Sequence, residues 1–87
     1  MQEDTEAWLS QAMARHQAGD LAGAAVAYDR ILRRDPDHPD ALHFSGLVCH
    51  QQGRGAEGLA RMRRSIELRP DFAGYLVNIG EIGRAHV

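Results

Sequence analysis

The sequence predicts an all-α array of antiparallel helix pairs, five helices in about two and a half repeats. Three observations carry that expectation: self-similarity at a fixed period of 34 residues, apolar spacing of helical type within each period, and glycine or proline at the junctions. His16-Gln17-Ala18-Gly19-Asp20 recurs 34 residues later as His50-Gln51-Gln52-Gly53-Arg54. The same offset links Asp35-Pro36-Asp37 to Arg69-Pro70-Asp71, Leu32 to Ile66, and the large apolar residues Trp8, Leu42 and Leu76. It also links the small residues Ala12, Gly46 and Gly80.

Each element follows from local chemistry. Residues 5–18 carry Trp8, Leu9, Ala12 and Met13 on one helical face, and Gly19-Asp20 breaks the pattern. Residues 21–34 follow, with Leu21, Ala24, Ala25, Tyr28, Ile31 and Leu32 on one face. Pro36 stops that helix and pushes Asp35 out of helical geometry. Asp37 is placed to cap the next helix, with Pro39 tolerated in its first turn. The cycle repeats as a helix over 39–52, a turn at Gly53-Arg54-Gly55 and a helix over 56–68. Pro70 and a cap at Asp71 then lead into a third opening helix from Ala73. The units are 5–38, 39–72 and an incomplete 73–81.

Small residues predict how closely the paired helices approach. Ala12 faces Ala24 in the first pair, and Gly46 faces Gly58 in the second. A helical glycine costs about 1 kcal/mol against alanine, so two in one pair imply a close backbone crossing.

Composition narrows the function classes. The chain is 44% hydrophobic and 25% charged, with a net charge of −2. All 10 basic residues are arginine, and they are interspersed with acids. No basic stripe points to nucleic acid. A lone cysteine, Cys49, excludes an internal disulfide framework and suits the reducing cytoplasm. The acidic start Met-Gln-Glu-Asp-Thr-Glu-Ala-Trp is not a signal peptide, and no apolar run reaches the ~20 residues of a membrane span. No membrane partner is expected.

At these residues the chain resembles the tetratricopeptide repeat family, over nearly its whole length. The first unit supplies Trp8, Ala12, Gly19, Ala24, Tyr28 and Pro36; the second supplies Leu42, Gly46, Gly53, Gly58, Met62, Ser65 and Pro70. Leu76, Ile79 and Gly80 open the third. Gln11 and Ser45 stand where the family has leucine, and Met62 where it has an aromatic. The resemblance implies a right-handed superhelical solenoid whose opening helices line a concave groove, and a non-catalytic scaffold that binds a peptide or protein segment there. The groove side chains it implies are Glu6, Leu9, Met13, His16 and Gln17 from the first unit, then Asp40, His43, Leu47, His50 and Gln51 from the second. Gly74, Val77 and Asn78 follow from the third. The polar readers would be Gln17, Gln51, His16, His43 and His50, all solvent-facing. The family's clamp for peptide carboxylates uses Lys, Arg and Asn in these slots, and the first two units hold none.

A narrower resemblance joins Asp40–Arg54 and Ser65–Glu81 to the opening repeats of large bacterial proteins. There the repeats precede a catalytic domain similar to O-linked N-acetylglucosamine transferases, or a sulfotransferase or methyltransferase. Asn78 falls where the glycosyltransferase relatives place a groove-lining asparagine; the matching slots here hold Ser10 and Phe44. On this alternative the chain is the substrate-presenting front of a larger transferase.

Other chemistry finds little footing. His43 and His50 share a helix face but lie two turns apart, about 10.5 Å by helix rise, too far to chelate one metal comfortably. Cys49 points away from His50 and suits packing as a small apolar residue. Ser10, Ser45 and Ser65 sit mid-helix with no strained elbow, and Gly53-Arg54-Gly55 lacks the lysine of a phosphate loop. No catalytic residue, cofactor site or metal site is expected. Arg30, Arg33, Arg34, Arg61, Arg63 and Arg64 cluster on the second helices. They read as a solvated face beside Asp29, Asp35 and Glu67, or more sharply as a convex anion-binding patch.

The last residues depart from the period. The third opening helix presents Leu76, Val77, Ile79 and Ile82 with no partner helix after it, which would favour self-association. Gly83 stands where a large aromatic is expected, and Ile82–Val87 match neither a repeat nor a cap. The codons ATC GGA AGA GCA CAC GTC, which would encode them, resemble a widely used sequencing-library adapter. Residues 82–87 are therefore expected to be a non-native tail.

Overall fold

A computed structural model describes residues 5–71 and Gly74. Over that span the chain forms α1 (Thr5–Gln17), α2 (Leu21–Arg34), α3 (Pro39–Gln51) and α4 (Gly55–Leu68), with no strand among the described residues. The expected boundaries hold to within one residue at each end, the scatter usual for helix termini. Gly74 is helical; the other residues of the expected fifth helix, Val77 and Asn78 included, and residues 82–87 lie outside the described residues.

The two junctions inside the pairs are built alike, 34 residues apart. Gly19 and Gly53 have φ of 84° and 87°, a region that glycine enters without steric cost. At the first junction Gly19 N–H donates to His16 C=O at 3.1 Å and Asp20 N–H to Arg15 C=O at 2.9 Å. At the second, Gly53 N–H donates to His50 C=O at 3.0 Å and Arg54 N–H to Cys49 C=O at 2.8 Å. This paired bonding is the Schellman ending of a helix, and it satisfies carbonyls that the helix cannot.

The helix starts differ. Asp20 caps α2 by accepting from Gly23 N–H at 2.9 Å, whereas Arg54 at the same place before α4 supplies no side-chain cap. Asp37, expected to cap α3, does not. The N-cap is His38, whose Nδ1 accepts from Ala41 N–H at 3.1 Å. Pro39 at the first helical position puts the cap one residue later than the family of oxygen caps suggests. Asp37 is free to accept instead from Arg64 at 3.2 Å. Asp35 sits outside helical geometry, at φ −138° and ψ 89°, as the following proline requires.

Packing within the second pair is closest at its glycines. A Cβ on Gly46 would stand 2.7 Å from Gly58 O, and one on Gly58 would stand 2.5 Å from Gly46 O. The two backbones therefore touch, which only glycine on both sides permits. The main core runs across the pairs: Ala12, Ala24, Tyr28 and Ile31 from the first join Ala41 and Val48 of α3, with Trp8, Leu9, Leu32 and Phe44 around them. Cys49 and Met62 are buried in the second pair. Burial pushes the Cys49 thiol up, against the opposing pull of Arg61 and Arg54.

Ionic contacts tie α4 back to the first pair. Arg61 reaches Asp29 of α2 at 3.2 Å and Glu57 at 3.3 Å, and Arg64 joins Asp37 to Glu67. These are surface pairs, which water and salt screen, so they add little to stability.

Candidate functional site

The opening helices α1 and α3 share one face, and a depression of ≈ 330 Å³ lies between them. Helical spacing brings Met13, His16 and Gln17 of α1 to its rim, and Leu47 and Gln51 of α3 opposite them. His16 Nε2 and Gln51 Oε1 lie 2.7 Å apart across the two helices. The two lie 35 residues apart, each one slot from the other's repeat equivalent, so the stacking of the repeats brings them together.

Two side chains that sequence reasoning did not assign to the groove line the depression. They are Tyr28, reaching through from α2, and Phe44 of α3. Their rings stack at 6.3 Å and 21°, and His16 meets Tyr28 edge-on. Tyr28 is fully buried, its hydroxyl has no hydrogen-bond partner among the described residues, and burial pushes its pKa up to about 12. Phe44 occupies the repeat slot of Asn78, which was the available signal for it. Tyr28 gave none, because its period slot marks a core position. The depression thus has an aromatic lining and an amide–imidazole rim, suited to an apolar side chain with main-chain polar groups beside it.

The other expected groove residues among the described ones do not line this depression. Glu6 is exposed, and Leu9 packs against the core. Asp40 pairs with Arg69 at 3.5 Å. His50 Nδ1 lies 3.7 Å from where a Cβ on Gly55 would sit, which places the imidazole beside the start of α4. His43 is a correction. It was expected to face solvent and is fully buried, with Phe44 edge-on at 5.2 Å. Burial lowers its pKa from 6.5 to about 4, while the Asp40 charge pulls the other way. A buried neutral imidazole is a packing group, not an exposed reader.

Ser45 and Ser65 are buried, and each hydroxyl donates to a carbonyl of its own helix, Leu42 and Met62 respectively. Among the described residues, no three His, Cys, Asp or Glu side chains come together as metal ligands, and no helix is long and apolar enough to cross a membrane.

Comparison with known proteins agrees with this architecture. The sequence profile of the tetratricopeptide repeat matches residues 5–48. A plant protein described as Protein CTR9 homolog, from Arabidopsis thaliana, is 33% identical over 76 residues. That alignment covers 80% of this chain and only 7% of the relative's own length. With a repeat profile over half its length, paired Schellman turns at the repeat spacing and two helix pairs packed in series, the chain belongs to the tetratricopeptide repeat family.

Proposed function

We propose that the chain is a non-catalytic interaction scaffold that binds a peptide or protein segment on the shared face of α1 and α3. The observation that carries this reading is the ≈ 330 Å³ depression lined by Tyr28 and Phe44 and rimmed by Met13, His16, Gln17, Leu47 and Gln51. An apolar side chain of the partner enters between Met13 and Leu47. His16, Gln17 and Gln51 meet the partner's main chain, with the His16–Gln51 contact giving way to bonds with the ligand. Val77 and Asn78 extend the same face if the third unit continues the period.

The test begins with peptides selected from a random display library on the 87-residue chain. Their affinity for a Met13→Glu, Gln51→Ala variant should fall at least about tenfold, while the helical circular dichroism is retained. Unchanged affinity would move the site to another face.

A second reading places the chain inside a larger protein, and one observation favours it: the matched plant relative devotes 7% of its length to the alignment. On that reading the groove presents a segment to whatever the rest of the protein does, a transferase domain being one such case. Genomic sequence flanking the gene separates the two readings.

A further inference from the structure

The second helix of the first pair carries a surface that groove binding leaves unused. Val26, at 67% exposed, is the large apolar residue standing out to solvent among the described residues. Two depressions adjoin it and share both Val26 and Arg33. One, of ≈ 470 Å³, runs toward Leu32, Asp29 and Arg61; the other, of ≈ 360 Å³, runs toward Trp8 and Arg30. Val26, Arg30 and Arg33 follow the i, i+4, i+7 spacing and so form one stripe along α2.

The charges along this stripe are uncommitted. Arg61, Arg64, Arg54 and Arg15 each have a carboxylate partner. Among the described residues Arg30 and Arg33 have none, and both are exposed. Arg30 is held instead over the Trp8 ring, 3.8 Å from its centroid. This cation–π contact holds the guanidinium at the ring and leaves N–H groups to meet a carboxylate. Asp29, the acid nearest Val26 in the chain, is already engaged by Arg61.

We propose that this α1/α2 surface docks an acidic peptide segment bearing a bulky apolar side chain, which seats beside Val26 and Trp8 while following carboxylates pair with Arg30 and Arg33. The helix rise puts Val26 and Arg33 about 10 Å apart, a distance that an extended peptide covers in about three residues. The matching partner therefore has its acids within about three residues of the apolar anchor. A nucleic-acid backbone is a poorer match, because the chain carries net charge −2 and Asp29 and Glu57 flank the patch.

The probe is a short fluorescein-labelled peptide with one phenylalanine followed by a run of glutamate and aspartate, read by anisotropy on the 87-residue chain. Binding should weaken at least about tenfold in Val26→Asp and in Arg33→Ala, and likewise when the probe's acids are replaced by their amides. Both substitutions sit on exposed helix surface, and circular dichroism confirms that each variant keeps its helices. Gln51→Ala, on the groove face, should leave the probe's affinity unchanged, so failure here is separable from failure of the groove. The proposal is overturned if the amide probe binds equally, if either variant binds as the parent does, or if an oligothymidine displaces the peptide at equal charge concentration. Weakening by Gln51→Ala would place the probe in the groove and overturn it too.

Discussion

His43 lies wholly inside the helix packing, where burial holds its imidazole neutral down to about pH 4. The unfolded chain takes up that proton near pH 6.5, so acid favours unfolding. With the folded pKa below the unfolded one, the His43 contribution is complete above about pH 6.5 and is lost as the pH falls toward 4. The loss amounts to at most about 3 kcal/mol at about 1.4 kcal/mol per pH unit. Urea unfolding at neutral pH and near pH 4 should show a smaller acid-induced loss in His43→Leu than in the parent; equal losses would mean the imidazole is protonated in the folded state. Tyr28 supplies the complementary case. Its buried hydroxyl has no partner among the described residues, so Tyr28→Phe should be neutral or stabilising by up to about 1 kcal/mol in the same assay. A loss beyond about 1 kcal/mol would reveal a bond that the phenol makes. These two residues also mark how far sequence reasoning about the site reaches. Periodicity sets the angle of a side chain around its helix, which brought Met13, His16, Gln17, Leu47 and Gln51 to one face. It does not set depth, which depends on what the next element lays over that face. His43 was therefore placed too far out, and Tyr28 was left out of the lining.

At the scale of elements, the local chemistry was legible wherever one residue type has one use. Gly19 and Gly53 could be read as turn residues because left-handed backbone favours glycine, and both pairs close on the same hydrogen-bond pattern. Gly46 and Gly58 could be read as a close crossing because mid-helix glycine is otherwise a cost. The α3 cap was misassigned to Asp37, since an imidazole acceptor at His38 is a rarer cap than a carboxylate. The glycine crossing carries a prediction of its own. Gly46→Ala forces a methyl group against Gly58 O and the Met62 side chain, and the helices must separate. The expected cost is about 1–3 kcal/mol, against the ~1 kcal/mol gain that Gly→Ala gives in an open helix. Gly46→Ala with wild-type stability would mean that α3 and α4 can slide apart freely. Arg54 offers the opposite sign: Arg54→Ser adds a capping oxygen where α4 has none, and should raise the unfolding free energy in urea by roughly 0.5–1 kcal/mol less what the Glu57 ion pair gave.

For the molecule as a whole, the question is whether the two helix pairs stand or fall together. In a repeat array, stability is the sum of each unit's own packing and the interfaces between neighbours. Here the interface holds most of the large buried side chains. Tyr28 and Ile31 of α2 share one core with Ala41 and Val48 of α3, and Phe44 stacks on Tyr28. Within the first pair, by contrast, Ala12 and Ala24 are fully buried but bury little apolar area each, and Trp8, Leu9 and Leu21 around them are only partly buried. Both pairs lose that shared core if either leaves, so the two should unfold in one transition. Trp8 is the sole tryptophan and reports on α1, while far-UV circular dichroism reports on all helices. The two signals should trace the same urea curve. Ile31→Ala, which empties the shared core, should lower stability by about 2–5 kcal/mol and keep the two curves superimposed. A Trp8 transition that precedes the loss of helix would show that the second pair stands without the first, and the groove between α1 and α3 would then form only as the pairs dock.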